Sequence, residues 1–176
     1  ALELDPLSLV INRELGASGF FSARQYDQAI EQLRKTLEMD PNFPRVHQYL
    51  GQTYVQKSMY KEGIAEIEKE LAITSDDPYA LSALGGADAL AGRRAEALKI
   101  IDRLDELSKQ KYIAAKYRVS IYAGLGEKDK AFEWLEKSYG ERSIEMGGYF
   151  EVDPIYDPLR SDPRFTDLLR RMNLQP

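Results

Sequence analysis

Paired carboxylates are the most numerous groups in this sequence that could take part in catalysis. Two neighbouring acids can hydrolyse a glycosidic bond when burial raises the pKa of one of them, so that it acts as the proton donor. The sequence offers such pairs at Asp76 and Asp77, Glu66 and Glu70, and Asp102 and Glu106. Each pair lies in a turn or on the polar face of a predicted helix, where charged side chains are usually solvated. We therefore interpret all three pairs as surface groups, and a carboxylate-dependent hydrolase is kept only as an alternative function.

The other reactive groups of the chain are few. His47 is the only histidine and cysteine is absent, which excludes thiolate zinc sites, sites built on several histidines and cysteine nucleophiles. A single histidine on the packing side of a predicted helix lacks the partners that a catalytic base or a metal ligand needs. We predict that the chain is not an enzyme and has no catalytic residue, no metal site and no cofactor.

The overall composition restricts the choice of partners. The chain has 176 residues, of which 43% are hydrophobic, enough to form a core. Its 24 basic and 29 acidic residues give a net charge of −5, which argues against nucleic acid as a partner. Basic residues cluster in the C-terminal tail, where we expect them to complement a helix dipole: Arg160, Arg164, Arg170 and Arg171. No apolar stretch is long enough for a bilayer and no signal peptide opens the chain, so we predict a cytoplasmic protein with no membrane partner.

The strongest signal in the sequence is an internal repeat of 34 residues. Residues of similar type recur at this spacing in three sets: Ala29, Gly63, Ala97 and Ala131; Leu33, Ile67, Ile101 and Leu135; Phe20, Tyr54, Asp88 and Tyr122. Four copies with no insertion between them indicate a solenoid, in which each unit buries its apolar face against the next.

Each copy is predicted to be a pair of antiparallel helices. From Gln25 to Met39, apolar residues recur at three- and four-residue steps, which is typical of a helix with one buried face. The preceding helical stretch, Val10 to Ala23, is of similar length and only a few residues away, so the two helices must lie side by side. The small residue in each copy lets the two backbones approach closely.

Short signals mark where the helices begin and turn. Asp77 before Pro78, and Asp162 before Pro163, predict an N-cap followed by a proline in the first turn. Glycine at positions 92 and 126 predicts a left-handed residue at the end of a helix. Arg24 and Ser58 occupy the equivalent turns, so we predict a positive φ there, or a reshaped turn.

The second copy resembles the tetratricopeptide repeat (TPR). It carries Leu50-Gly51-Gln52-Thr53-Tyr54 and then Tyr60, Gly63 and Ile67. Departures elsewhere include Asp88, where an aromatic residue is usual, and Arg118, where leucine is usual. The resemblance implies an all-α TPR solenoid: a right-handed superhelix of antiparallel helix pairs with a C-terminal capping helix.

The repeat phase predicts the organisation of the chain. We assign residues 1–9 to the end of a preceding repeat and residues 10–143 to four units, at about 10–43, 44–77, 78–111 and 112–143. After Ser143 the period is expected to fail at Gly147 and Gly148, so residues 144–176 would form an irregular segment and a capping helix from Pro163 to Met172. An open N-terminal repeat exposes an apolar face, from which we predict self-association into a homo-oligomer.

The resemblance also implies the function. In a TPR array the first helix of each pair lines a concave groove that binds a peptide or a protein partner. The side chains predicted to face this groove are Glu14, Ser18, Phe21, Arg45, Gln48, Tyr49, Gln52, Tyr79, Ser82, Lys116 and Ser120. Amide, hydroxyl and aromatic groups of this kind suit an extended peptide. The Lys and Asn clamp with which some TPR proteins hold a terminal carboxylate is missing here.

We therefore predict a non-catalytic scaffold for protein–protein interaction. The tail after Ser143 also resembles the closing segment of bacterial multidomain regulators, in which TPRs follow a winged-helix or a serine/threonine kinase domain. A regulatory or sensory module of such a protein is the second alternative function.

Overall fold

The computed structural model describes Asp5, residues 7–143 and residues 149–174, and these contain helices and no strand. The α-helices are α1 (Leu9–Glu14), α2 (Tyr26–Met39), α3 (Val46–Gln56), α4 (Tyr60–Thr74), α5 (Pro78–Leu90), α6 (Arg94–Ser108), α7 (Val119–Gly124), α8 (Lys128–Gly140), α9 (Tyr149–Val152), α10 (Asp157–Arg160) and α11 (Pro163–Arg171). A π-helical turn covers Leu15–Phe21, and 3₁₀ turns cover Ala115–Arg118 and Pro154–Tyr156. The prediction of an all-α protein is confirmed.

The chain forms two compact units, Ala1–Ala80 and Leu81–Pro176, with the boundary inside α5. In the first unit, α1 and the π turn pack on α2, α2 packs on α3, and α3 packs on α4. In the second unit, the 3₁₀ turn before α7 and α7 itself pack on α8, and α10 packs on α11. Three of the predicted helix pairs are therefore formed: α1 and the π turn with α2, α3 with α4, and the 3₁₀ turn and α7 with α8.

Small residues allow the helices of a pair to approach closely, as predicted. A Cβ atom on Gly51 would lie 2.6 Å from the carbonyl oxygen of Gly63 and 2.6 Å from Cγ1 of Ile67. Such distances are too short for any side chain, so α3 and α4 meet backbone to backbone. Leu33 and Tyr54, which belong to the recurring sets, are buried together in the core of this unit.

The predicted turn conformations are confirmed. Gly92 and Gly126 have φ of 75° and 75°, and Arg24 and Ser58 have φ of 60° and 60°. A left-handed conformation costs a residue with a side chain on the order of 1 kcal/mol. Arg45, which immediately precedes α3, also has a positive φ, of 69°, which no pattern in the sequence predicted.

Both predicted N-caps are confirmed. Oδ1 of Asp77 accepts hydrogen bonds from the backbone N–H groups of Tyr79 at 3.0 Å and Ala80 at 2.9 Å. Oδ1 of Asp162 accepts one from the N–H of Arg164 at 3.0 Å. Each aspartate thereby satisfies donors that the first turn of its helix leaves unpaired.

The first predicted helix differs in its winding. The sequence predicts one regular helix over residues 10–23, whereas α1 ends at Glu14 and a π-helical turn follows. This turn contains Gly16 and Gly19, whose missing side chains leave the backbone free to widen. A Cβ on Gly16 would lie 2.7 Å from Cγ of Leu33, so the widened turn also packs tightly against α2.

The failure of the period after Ser143 remains a prediction, although three buried residues of the tail keep the 34-residue spacing. Tyr156, Phe165 and Leu169 are buried and follow Tyr122, Ala131 and Leu135 by 34 residues.

Two ion pairs also join α11 to α8, each between residues 35 apart: Arg164 with Asp129 at 2.9 Å and Arg171 with Glu136 at 2.7 Å. Because both pairs share one offset, the two helices run parallel.

Two predictions fall on residues that the structure does not describe. The helix break at Gly147 and Gly148 lies outside the described residues. Of residues 1–9, which were assigned to the end of a preceding repeat, residues 1–4 and 6 also lie outside the described residues. The predicted unit boundaries remain predictions.

Candidate functional site

Five of the predicted groove residues come together in the first unit, and we call them the Tyr49–Tyr79 cluster: Glu14, Ser18, Arg45, Tyr49 and Tyr79. The rings of Tyr49, on α3, and Tyr79, at the start of α5, meet edge to face with centroids 6.2 Å apart and an interplanar angle of 74°. Such pairs hold two rings in a fixed geometry. Both tyrosines are partly exposed, so the pair forms a rigid aromatic feature at the surface.

Charged and polar side chains border the two rings. Arg13 and Glu14 form an ion pair at 2.6 Å, and Oγ of Ser18 donates to the other carboxylate oxygen of Glu14 at 2.9 Å. Ser18 lies within the π turn. The guanidinium carbon of Arg45 lies 5.6 Å from the centroid of the Tyr79 ring, within cation–π range.

The surroundings of Tyr49 keep its hydroxyl protonated. Burial raises the pKa of Tyr49, and the negative charge of Glu14 acts in the same direction. A hydrogen bond with Tyr79 and the positive charges of Arg45 and Arg13 act the other way without outweighing burial. At neutral pH the phenol therefore remains a hydrogen-bond donor.

Glu70 supports the cluster from below, and its interpretation as a solvated acid is wrong. Its side chain is almost fully buried, and Oε1 accepts a hydrogen bond from the backbone N–H of Arg45 at 2.9 Å. The carboxylate thus caps the N-terminus of α3 from the adjoining helix, where the helix dipole favours a negative charge. This contact also holds Arg45 in its left-handed conformation.

Glu66 is likewise paired rather than freely solvated. Oε2 lies 2.6 Å from Nδ1 of His47, and Oε1 accepts from Nζ of Lys69 at 2.7 Å. Nε2 of His47 lies 2.9 Å from the carbonyl oxygen of Pro41. Partial burial acts to raise the pKa of Glu66, but the hydrogen bonds from Lys69 and His47 outweigh it and place the pKa below its usual value.

These two acids do not form a catalytic pair. A proton donor in hydrolysis needs a raised pKa, whereas the pKa of Glu66 is lowered. Glu70 is engaged as a helix cap. Asp102 and Glu106 are exposed, as predicted.

Three predicted groove residues of the first unit are buried, which corrects the assignment of their side chains to an open surface. They are Phe21, Gln48 and Gln52. Phe21 packs against the ring of Tyr26, with centroids 6.0 Å apart. Helical phase places Gln48 and Gln52 on the outer face, but neighbouring elements cover them. The amide nitrogen and oxygen of Gln48 have no hydrogen-bond partner among the described residues.

The other predicted groove residues lie in the second unit. Ser82, on α5, and Ser120, on α7, bring their hydroxyl oxygens to 3.0 Å, so they join the two helices, and Ser82 is buried. The ammonium of Lys116 lies 5.7 Å from the ring centroid of Tyr117. These contacts are internal to the unit.

Sequence reasoning did not assign two residues to the site, Arg13 and Glu70. Arg13 pairs with Glu14 and stacks over Phe43, with 5.6 Å to the ring centroid. Glu70 was assigned to solvent from its place on the polar face of a helix. Its contact with Arg45 joins positions 25 residues apart. No spacing rule within a single helix could have identified such a contact.

Other candidate sites find no support in the described residues. They contain no group of three or more His, Asp or Glu side chains placed to hold a metal ion. No helix among them combines the length and apolar character needed to cross a bilayer. In the tail, Arg160, Arg164 and Arg171 are engaged by carboxylates of the chain itself.

Comparison with known proteins places this fold. The family described as TPR repeat matches residues 20–58. The crystal structure of YrrB, described as a TPR protein with an unusual peptide-binding site, superposes with a TM-score of 0.54 at 19% identity over 97% of this chain and 88% of that one. Residues 20–58 therefore match a TPR repeat, and the chain shares the fold of a TPR structure. MamA has a TM-score of 0.51 at 22% identity, over 94% of this chain and 93% of its own. A search of the curated proteins found no match.

The match over residues 20–58 and the shared fold confirm the predicted resemblance to TPR proteins. At these identities the structural likeness establishes the fold, and function has to be argued from the site.

Proposed function

We propose that this protein is a non-catalytic scaffold that binds an extended segment of a partner protein at the Tyr49–Tyr79 cluster. The observation that carries the proposal is a fixed pair of partly exposed tyrosine rings bordered by Arg45 and by the Glu14 carboxylate. Tyrosine and arginine are the residues most enriched at the energetic centres of protein interfaces.

The chemistry of the cluster suits a peptide backbone. The phenol of Tyr49 and the hydroxyl of Ser18 can hydrogen-bond to peptide groups, while the faces of the two rings cover apolar side chains. An aromatic pair that is already in place loses little conformational entropy on binding. That YrrB, a protein of the same fold, is described as having a peptide-binding site supports this choice of ligand class.

Substitution of Tyr79 tests the proposal. The intact chain is applied to an array of random-sequence peptides, and the affinities of the strongest peptides are measured by fluorescence anisotropy. Tyr79→Ala should weaken binding by about 30-fold, as expected for loss of an aromatic hot spot. The matched control is Tyr112→Ala, because Tyr112 is a highly exposed tyrosine in the other unit. Equal affinities of the two variants, both with wild-type circular dichroism, would contradict the proposal.

We also propose that the chain self-associates through its first helix. Leu7 and Val10 are large apolar residues with 77% and 53% of their surface exposed. Large exposed apolar side chains that lie close together favour association with a second copy. Peptide binding and self-association both use the first unit, and added salt should change their affinities in opposite directions.

A further inference from the structure

Arg45 differs from most of the stacked arginines in this protein. Five arginines lie over an aromatic ring and also bind a carboxylate of the chain: Arg13, Arg118, Arg160, Arg164 and Arg171. Arg34 lies over Tyr54 and donates a hydrogen bond to the hydroxyl of that residue. Arg45 lies over Tyr79 and, among the described residues, forms no ion pair. The guanidinium of Arg45 therefore stacks on a ring but has no carboxylate counterion among the described residues.

The geometry of Arg45 leaves its hydrogen-bond donors available. Stacking on Tyr79 uses the flat face of the guanidinium, whereas the N–H groups project from its edge, where a carboxylate can bind through two parallel hydrogen bonds. The side chain is exposed. The backbone beneath it is fixed by the hydrogen bond to Glu70, so the guanidinium starts from a defined position.

The surrounding charges leave room for an anion. The charge of Arg13 is balanced by Glu14 at 2.6 Å. The Glu70 carboxylate is buried at the N-terminus of α3, where the helix dipole balances it. The exposed cation of the cluster that remains without a counterion is Arg45.

We propose that Arg45 binds an aspartate or glutamate side chain of the partner segment, so that the Tyr49–Tyr79 cluster selects acidic peptides. This inference rests on the proposed peptide-binding function and adds the chemical class of the ligand. The acidic side chain pairs with the edge of the guanidinium, while the neighbouring tyrosine rings hold the rest of the segment.

A peptide array with blocked ends tests the inference. All peptides are N-acetylated and C-amidated, so that side chains supply the only carboxylates. Wild-type protein should select sequences enriched in aspartate and glutamate. Arg45→Gly removes the side chain and suits the left-handed backbone at this position, so it should fold at least as stably as wild type. It should bind the selected peptides about tenfold more weakly, the effect expected for loss of a charge-assisted hydrogen bond at a surface.

A charge exchange separates a direct contact from a structural effect. Arg45→Glu should also lose the acidic peptides, and it should regain affinity when the critical acidic residue of the peptide is replaced by lysine. The control is Lys61→Glu, because Lys61 is an exposed cation on α4 of the same unit, and it should bind as wild type does.

The outcomes distinguish the inference from the function on which it rests. If the selected peptides are not acidic, or if Arg45→Glu behaves as Lys61→Glu does while Tyr79→Ala still abolishes binding, the scaffold function stands and the role of Arg45 is wrong. If wild-type protein selects no peptide, both fail.

Discussion

Arg118 shows how a single residue can depart from the repeat pattern and still be accommodated. It stands where leucine is usual in a TPR, and its side chain is 2% exposed. The guanidinium binds Oδ1 of Asp105 at 2.7 Å and lies 4.6 Å from the centroid of the Trp134 ring. An ion pair and a cation–π contact together offset the cost of burying the charge.

Truncation of this side chain should destabilise the protein. Arg118→Ala loses both contacts and leaves a cavity, so we expect a loss of about 2–3 kcal/mol in the free energy of unfolding, less than for a fully buried pair because Asp105 is half exposed. Arg118→Leu refills the volume with the usual residue and should cost about 1 kcal/mol or less. Denaturant unfolding followed by the fluorescence of Trp134, the only tryptophan, measures both.

The control for this series is Lys99→Ala, since Lys99 is exposed on α6. It should unfold within about 0.5 kcal/mol of wild type. If Arg118→Ala and Lys99→Ala have the same free energy of unfolding, the buried contacts of Arg118 contribute nothing to stability.

At the scale of the element, Asp162 determines how α11 begins. Its carboxylate caps the helix and also binds the guanidinium of Arg164, which reaches Asp129 on α8. Hydrogen bonds from the Arg164 side chain and backbone lower the pKa of Asp162 to about 2. A depressed pKa means that the ionised form is favoured in the folded state.

The stability that Asp162 contributes should therefore depend on pH. Because its pKa is lowered on folding, the contribution is complete above the unfolded value of 3.8 and disappears as the pH falls through about 2. Asp162→Asn keeps the cap acceptor and removes the charge, so the stability difference from wild type should be constant above pH 4 and vanish toward pH 2. Thermal unfolding by circular dichroism across this range measures it.

A second variant controls for the other carboxylates. Asp102→Asn removes an exposed acid from α6, and its difference from wild type should be small throughout the same range. A difference for Asp162→Asn that persists undiminished at pH 2 would show that the charge is not responsible.

At the scale of the whole molecule, the net charge of −5 separates the two proposed interactions. Like charges on two copies repel, so salt should strengthen self-association through Leu7 and Val10 by screening that repulsion. Salt should weaken the binding of an acidic peptide by Arg45, because there it screens an attraction.

Self-association should therefore be concentration-dependent and sensitive to the first helix. Val10→Glu places a charge in the exposed apolar face and should weaken association by about tenfold, in line with the cost of burying an unpaired charge. Sedimentation velocity over a range of protein concentrations measures this. Val152→Glu is the control, because Val152 is an exposed valine in the other unit. A wild-type chain that remains monomeric at all concentrations excludes the proposed self-association.

The role as a regulatory module of a larger protein remains a prediction.

The architecture was predictable because it depends on local, repeated signals. The caps at Asp77 and Asp162 act within a few residues of the chain. The small residues Gly51 and Gly63 belong to sets that recur every 34 residues, so they can be recognised by comparing the copies. Steric and hydrogen-bonding rules of that range can be applied to a sequence directly.

Half of the candidate site was predictable for the same reason. Tyr49 and Tyr79 were assigned from the TPR resemblance together with helical phase, and the structure pairs their rings. Helical phase gives the direction in which a side chain leaves its own helix. It does not show whether another element of the fold covers that side chain. For that reason Gln48 was assigned to an open surface and is buried.

By itself, the sequence determined the helices, their pairing and their repeat, since those follow from periodicity and short-range sterics. Only the tertiary structure decided that Glu70 caps α3 beneath Arg45, that two ion pairs join α8 to α11, and which polar groups are buried. These outcomes depend on contacts between residues about 25 or 35 positions apart. The energy of such a contact depends on the folded arrangement of both partners, and neither partner alone carries a signal of it.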